Sequence, residues 1–171
     1  AKVNLYLHVG PPGAGGLHPL DSLVMFADTR AADRISAMWS PQLVLRLEGP
    51  GARALKSAPG NLALVAASAL REACAHTGLG AELVLQKHLP IAGGVGGGSA
   101  DAAAALHLLN ELWDVNFGEA ALERLAGQLG SDVPACVRGR PLVMRGAGER
   151  LADVAAPHLP VVLVNPGVAL E

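Results

Sequence analysis

The chain reads as an α+β domain, on three observations. Strand patterns group in the first fifty residues, helical patterns dominate the stretch from Asn61 to about Leu129, and a glycine run sits between a strand pattern and the longest helix. A regular α/β alternation would spread the strands evenly, and they are not spread that way.

The first strand is predicted over Lys2–Val9, where Val3, Leu5, Leu7 and Val9 alternate with Lys2, Asn4, Tyr6 and His8. Strict alternation predicts one apolar and one polar face, with Lys2 and Asn4 side by side on the polar one. Residues 10–16 are rich in Pro and Gly and predict a loop. Further strands are expected over residues 18–27, 34–38 and 42–48, followed by a loop over 50–60. Asn61 is a good N-cap for a helix that buries Leu62, Ala66, Ala69, Leu70 and Ala73, with Gly78 just past its end. A strand over 81–87 runs into the glycine run. A helix follows from about Ala100 to Trp113, and another from Glu119 to Leu129, the latter apolar at i, i+3, i+4 and i+7 and stopped by Gly130. Short apolar runs at 135–137, 141–145 and 161–164 read as strands.

Composition narrows the function classes. Hydrophobic residues make up 51% of the 171, enough for a full core without staples, while charged residues make up 16% and aromatics 3%. The formal charge of −2 and the lack of a basic stripe with interleaved aromatics argue against a nucleic-acid surface. Cys74 and Cys136 are isolated in apolar surroundings and read as small buried hydrophobes. The six histidines lack any HExxH or CxxC companion, so no zinc site and no metal ligand is assigned. With no secretory signal and no run of 18 apolar residues, a cytoplasmic enzyme without membrane contact is expected.

The glycine run carries the chemistry. In Leu89-Pro-Ile-Ala-Gly-Gly-Val-Gly-Gly-Gly-Ser-Ala-Asp101, five of the six positions from Gly93 to Gly98 are glycine. Such a stretch costs backbone entropy, and its usual use is to wrap an anion with backbone N–H groups at a helix N-terminus. A Walker A loop is excluded, because no lysine follows the glycines. A Rossmann fingerprint is excluded as well: Ser99 stands where the third glycine belongs, and no acidic residue stands at the end of an expected strand some twenty positions on.

Four segments together resemble the GHMP kinase family, and within it the branch that acts on 4-diphosphocytidyl-2-C-methylerythritol. They are Ala1-Lys-Val-Asn-Leu-Tyr-Leu7, Gly16-Leu-His-Pro-Leu20, the glycine loop from Leu89 to Ala103, and Leu129-Gly-Ser-Asp-Val-Pro134. Their order and rough spacing agree across essentially the whole chain. The resemblance implies a fold like domain 2 of ribosomal protein S5, a mixed sheet packed against helices. It implies an ATP- and Mg²⁺-dependent small-molecule kinase of non-mevalonate isoprenoid precursor synthesis, with a cytidine-diphosphate-linked methylerythritol as substrate. Residues 1–155 would be the ATP-binding domain. Residues 156–171, which stop just after an expected strand, would begin a further C-terminal domain.

Residue by residue, the resemblance implies that Asp132 is the catalytic base and that Lys2 sits beside it to favour the acceptor alkoxide. Pro90, Ile91, Ala92, Gly93, Gly94, Val95, Gly96, Gly97, Gly98, Ser99 and Ala100 would hold the nucleotide phosphates. Asn4 would bond the substrate and His18 would read the cytosine edge. The family's Asp-Gly-Tyr-His is here Gly15-Gly16-Leu17-His18, so a leucine stands where a ring would lie against the cytosine. Blander roles stand beside these. Ser131 or Asp132 would cap a short turn, Lys2 would guard a strand edge, and His18 would be satisfied by backbone. Lys87 reads equally as a nucleotide contact or a surface lysine, and Asp101 as a helix cap or a solvent-facing acid. The rival classes are a nucleotide-binding module without catalysis, and a GHMP kinase acting on another small alcohol.

Overall fold

The computed structural model describes residues 1–13, 16, 18–55, 60–75 and 78–166. Two sheets are present rather than one. The first is antiparallel, in the order β1-β2-β6-β7, built from β1 (Lys2–Val9), β2 (Leu20–Phe26), β6 (Leu142–Gly146) and β7 (Arg150–Asp153). The second is mixed: β3 (Arg34–Trp39) runs antiparallel to the central β5 (Ala81–Gln86), and β4 (Leu43–Glu48) runs parallel to it. A parallel neighbour requires a crossover, and α1 (Ala52–Leu55) and α2 (Leu62–Ala73) supply it. Then come α3 (Gly97–Leu112), α4 (Glu119–Ala126) and α5 (Val133–Arg138). Asn61 caps α2, its side chain accepting from the Ala63 N–H at 3.0 Å.

The main core lies between the mixed sheet and the helices. Ala63, Ala66, Ala67 and Leu70 of α2 meet Ala102, Ala105, Leu106 and Leu109 of α3 over Ala81 and Leu83 of β5. Small alanines let the two helix axes approach closely, while each buried leucine contributes about 1.5–3 kcal/mol. A second, smaller cluster of Val24, Ala135, Leu142 and Met144 seats α5 on the antiparallel sheet. Arg138, at the end of α5, bridges Glu123 of α4 at 2.5 Å and Asp153 of β7 at 2.9 Å, tying that short helix from both sides.

Several expectations are corrected. Residues 135–137 belong to helix α5, where Pro134 near the N-terminus is pre-set for a helical start and Val-Pro-Ala-Cys-Val is too short for periodicity to decide. Residues 161–164 join no ladder, and β7 and α1 form where no element was expected. α3 begins at Gly97, three residues earlier than expected, and α4 ends at Ala126, three earlier. Cys74 and Cys136 are only partly buried.

The alternation in β1 is broken as well. Lys2 pairs with Phe26 and Asn4 with Val24, but a register shift follows and Tyr6 then pairs with Leu23 and Leu7 with Ser22. Residues directly opposite share a face, so this bulge at Leu5 puts Lys2, Asn4 and Leu7 on one face and Tyr6 and His8 on the other. The predicted common polar face does not exist. Val9 and Leu7 are more than half or half exposed rather than buried (59% and 50%), which fits a hairpin that outruns the helices beneath it. No described helix is long and apolar enough to cross a membrane.

Candidate active site

The glycine run forms a turn between β5 and α3. Ala92, Gly94 and Gly96 all take left-handed backbone conformations, with φ of 52°, 70° and 65°. Gly96 is the N-cap of α3 and makes no side-chain capping bond. The first bond into the helix runs from the Ala100 N–H to the Gly96 carbonyl at 2.9 Å, so the N–H groups of Gly97, Gly98 and Ser99 have no acceptor within the helix. They open onto a cleft of about 340 Å³ lined by residues 90–99 together with Leu55, Asn61, Leu62, Lys87 and Asp101. Bare N–H groups at the positive end of a sixteen-residue helix are suited to an anionic group. Ala100, expected with the loop, does not line the cleft; its N–H is used inside α3.

Lys2 and Asp132 are brought together. Lys2 Nζ lies 3.1 Å from Asp132 Oδ2 and donates to Asn4 Oδ1 at 3.2 Å. Asn4 in turn donates to Ser22 Oγ at 2.7 Å, and Ser22 donates to the Tyr6 carbonyl at 2.7 Å, so the bulge in β1 anchors the chain of bonds. Asp132 occupies the N-cap position of α5 but makes no side-chain capping bond; its carboxylate is turned to Lys2, which excludes the simple capping role. The Lys2 side chain is 5% exposed and that of Asp132 34%, so the carboxylate has a face open to a ligand. Nearby on α5, burial pushes the Cys136 thiol up to about 12, reinforced by Asp132, and leaves it unreactive.

The glycine loop touches Lys2 directly. The Lys2 N–H donates to the Val95 carbonyl at 2.8 Å, and a Cβ placed on Gly96 would lie 3.0 Å from the Lys2 Cβ and 3.1 Å from its Cε. The pair is therefore held at the rim of the cleft by the same turn that forms the anion cradle.

Lys87 is not a surface lysine: it is buried, its ammonium donates to Asp33 Oδ2 and, at 2.8 Å, to Asp101 Oδ2, and with Asp101 it lines the same cleft as the glycine loop. Asp33 also accepts from the His88 and Leu89 N–H groups at 2.6 and 2.8 Å. Burial works against ionisation of Asp33, but Lys87 and those two amides outweigh it and hold the carboxyl below the usual carboxylate range. For Asp101 burial wins over the pull of Lys87, and its carboxyl is pushed up to about 6. Asp101 neither caps α3 nor faces solvent. Asp33 lies 54 residues from Lys87, so no local motif could have disclosed the cluster.

His18 is apart from this group. Its Nδ1 lies 2.7 Å from the Gly10 carbonyl, at the far end of the β1–β2 hairpin from Lys2. Seven residues of strand separate Lys2 from Val9, roughly 20 Å at about 3.3 Å per residue. Gly15 and Leu17 lie outside the described residues.

Residues 61–140, from the α2 cap to the β6 approach, match the family described as GHMP kinases N terminal domain. The chain is 51% identical over 169 residues to the 4-diphosphocytidyl-2-C-methyl-D-erythritol kinase of Hyphomonas neptunium, covering 98% of this chain and 56% of that protein. It is 47% identical to the enzyme of the same name from Parvibaculum lavamentivorans, covering 100% of this chain and 58% of that one. A crystal structure of a 4-(cytidine 5'-diphospho)-2C-methyl-D-erythritol kinase superposes with a TM-score of 0.71 at 38% identity, over 91% of this chain and 53% of that one. The mevalonate kinase of Methanococcus jannaschii shares the fold, with a TM-score of 0.62 at 10% identity over 91% and 54% of the two chains. The chain thus spans a little over half the length of the curated relatives it matches. Motifs, cleft and comparisons converge: residues 61–140 match the N-terminal domain of the GHMP kinases, and the chain carries that domain's fold.

Proposed function

We propose that residues 1–155 form the nucleotide-binding domain of an ATP-dependent kinase that phosphorylates the 2-hydroxyl of 4-diphosphocytidyl-2-C-methyl-D-erythritol, a step of non-mevalonate isoprenoid precursor synthesis. The observation that carries it is the Lys2–Asp132 pair, 3.1 Å apart at the rim of the glycine cleft. A module that only bound nucleotide would have no need of a carboxylate and a cation aimed at one point beside the phosphates.

In this reading the Gly97, Gly98 and Ser99 N–H groups hold the β- and γ-phosphates at the start of α3. Bound MgATP supplies the γ-phosphoryl group and spreads its charge over the metal. Among the described residues no group of three His, Cys, Asp or Glu side chains could hold a metal, so Mg²⁺ would enter on the phosphates. Asp132 orients the acceptor hydroxyl and accepts its proton, while Lys2 stabilises the oxygen as it gains charge. Asn4 holds Lys2 in place and is within reach of the same substrate. The distance from Lys2 to His18, roughly 20 Å along the strand, suits a long acceptor whose alcohol and nucleobase are separated by a diphosphate.

ADP release from MgATP with this acceptor tests the proposal, run on the chain and on Asp132→Asn. Release that requires the acceptor and falls by about 100-fold or more in the variant is expected. Release of equal rate in both would remove Asp132 from its role. A second reading is favoured by coverage of only 56–58% of the relatives: a nucleotide-binding half whose chemistry needs more chain. MgATP binding without any ADP release would select it.

A further inference from the structure

The nucleotide reading leaves a buried charge cluster unused. Lys87, Asp33 and Asp101 have side chains 4–7% exposed, and they come from the residue after β5, the residue before β3 and the second turn of α3. Replacing a buried ion cluster by apolar side chains is often neutral or stabilising, so packing alone is a poor reason for it. Its position offers a better one. A Cβ on Gly97 would sit 2.9 Å from Lys87 Nζ. On its other side the Lys87 stem is boxed by Gly51, where an added Cβ would lie 2.7 Å from Cγ, while the Gly51 N–H donates to the Lys87 carbonyl at 3.1 Å. Three elements and two glycines thus leave this ammonium one place to be, against Gly97 at the start of α3, where Lys87 and Asp101 form part of the wall of the cleft that the loop N–H groups face.

We propose that Lys87 is a positioning residue for the nucleotide loop, clamped by Asp33 and Asp101 so that its ammonium fixes the turn at Gly97 from the β5 side of the cleft. Asp33 performs two tasks at once: Oδ2 holds Lys87, and Oδ1 holds the His88 and Leu89 N–H groups where the loop departs from β5. Asp101 holds the same ammonium from the helix side of the turn. Both ends of the loop are therefore referred to one cation. The inference rests on the reading of the cleft as a triphosphate site.

Two binding measurements on this chain test it, adenylyl imidodiphosphate with Mg²⁺ against adenosine, each on wild type, Lys87→Met and Asp33→Asn. Lys87→Met should weaken the triphosphate analogue at least tenfold and adenosine less than twofold. Asp33→Asn keeps Lys87 paired with Asp101, so it leaves no unpaired buried charge, but its amide would point a donor at the ammonium and release it. A several-fold loss of triphosphate affinity is expected. The sign is decisive: removing a negative charge near an anionic ligand tightens binding if only long-range attraction, or a direct ammonium–phosphate contact, matters. Equal or tighter triphosphate binding by Asp33→Asn overturns the proposal, as does equal loss for both ligands, which a merely structural role would produce. No triphosphate binding by the wild type would overturn the nucleotide reading along with it.

Discussion

Two lysines grip neighbouring glycines of one loop, and their surroundings could hardly differ more. Lys2 presses on Gly96 and has, among the described residues, a single carboxylate partner, Asp132, whose side chain is one-third exposed. Lys87 presses on Gly97 and is enclosed by two carboxylates that are almost wholly buried. An ammonium with one half-open partner can turn part of its field to an incoming oxygen. An ammonium saturated by two buried acids cannot, and is left with geometry as its contribution. In the proposed reading the same residue type would serve reaction at Gly96 and architecture at Gly97, and what separates the two is the number and exposure of the partners.

Exchanging the substitution between the two sites should break the comparison most sharply. Lys2→Met removes a donor aimed at the reacting oxygen, and acceptor-dependent turnover should fall about 10²–10³-fold, equivalent to about 3–4 kcal/mol. Affinity for the triphosphate analogue should change less than threefold, because Asp132 left without its partner is open enough to be hydrated. Lys87→Met should show the opposite balance, a larger loss in binding than in turnover at saturating nucleotide. Parallel losses in both variants would mean that the two lysines form one unit.

The pH dependence of stability separates the sites next. Asp101 has its carboxyl raised from 3.8 to about 6 in the fold. Between those values the folded chain holds a proton that the unfolded chain has lost, so stability falls as pH rises from about 4 to about 6 and is flat above. The full difference is about 3 kcal/mol. Asp33, held below its usual range, acts in the opposite sense and only on the acid side of this window. Urea denaturation of wild type and Asp101→Asn from pH 4 to pH 7 should show the variant gaining on wild type across that window. A constant difference would mean that Lys87 neutralises Asp101 fully.

Much of this arrangement was legible in the residues, and what was not has particular causes. The glycine loop, the α3 and α2 helices and the partnership of Lys2 with Asp132 all follow from local patterns or from segments that keep a recognisable spacing. Leu5 is the counter-example: one extra residue in a strand leaves the alternation intact, yet it moves Tyr6 and His8 to the other face. Val133–Arg138 is too short for period to distinguish helix from strand. Lys87 was ambiguous because its fate depends on Asp33, which only the pairing of β3 with β5 brings near.

Finer substitutions in the loop sharpen the contrast with smaller effects. Gly96→Ala forces a side chain into a φ of 65° and against Lys2, and should destabilise by about 2 kcal/mol, with turnover suffering more than binding. Gly97→Ala meets the Lys87 ammonium instead; the better helix propensity of alanine, about 1 kcal/mol, offsets part of the overlap, so about 1 kcal/mol is lost and binding suffers more than turnover.

The smallest effect lies at the outer arm of the same turn. Ala92 holds a φ of 52° with a Cβ, a conformation that costs an L-residue roughly 1–2 kcal/mol. Ala92→Gly removes that strain but gives the unfolded chain more freedom to lose, about 0.4–1 kcal/mol. The net gain of about 0.5 kcal/mol should raise the melting temperature by about 1–2 °C in a chain of this size. Because Ala92 lines the cleft, the freer backbone should weaken triphosphate binding about twofold while turnover at saturating nucleotide holds. A fall in turnover as well would mean that the outer arm of the loop is coupled to the Gly96–Gly97 turn, and that two lysines are not enough to hold it.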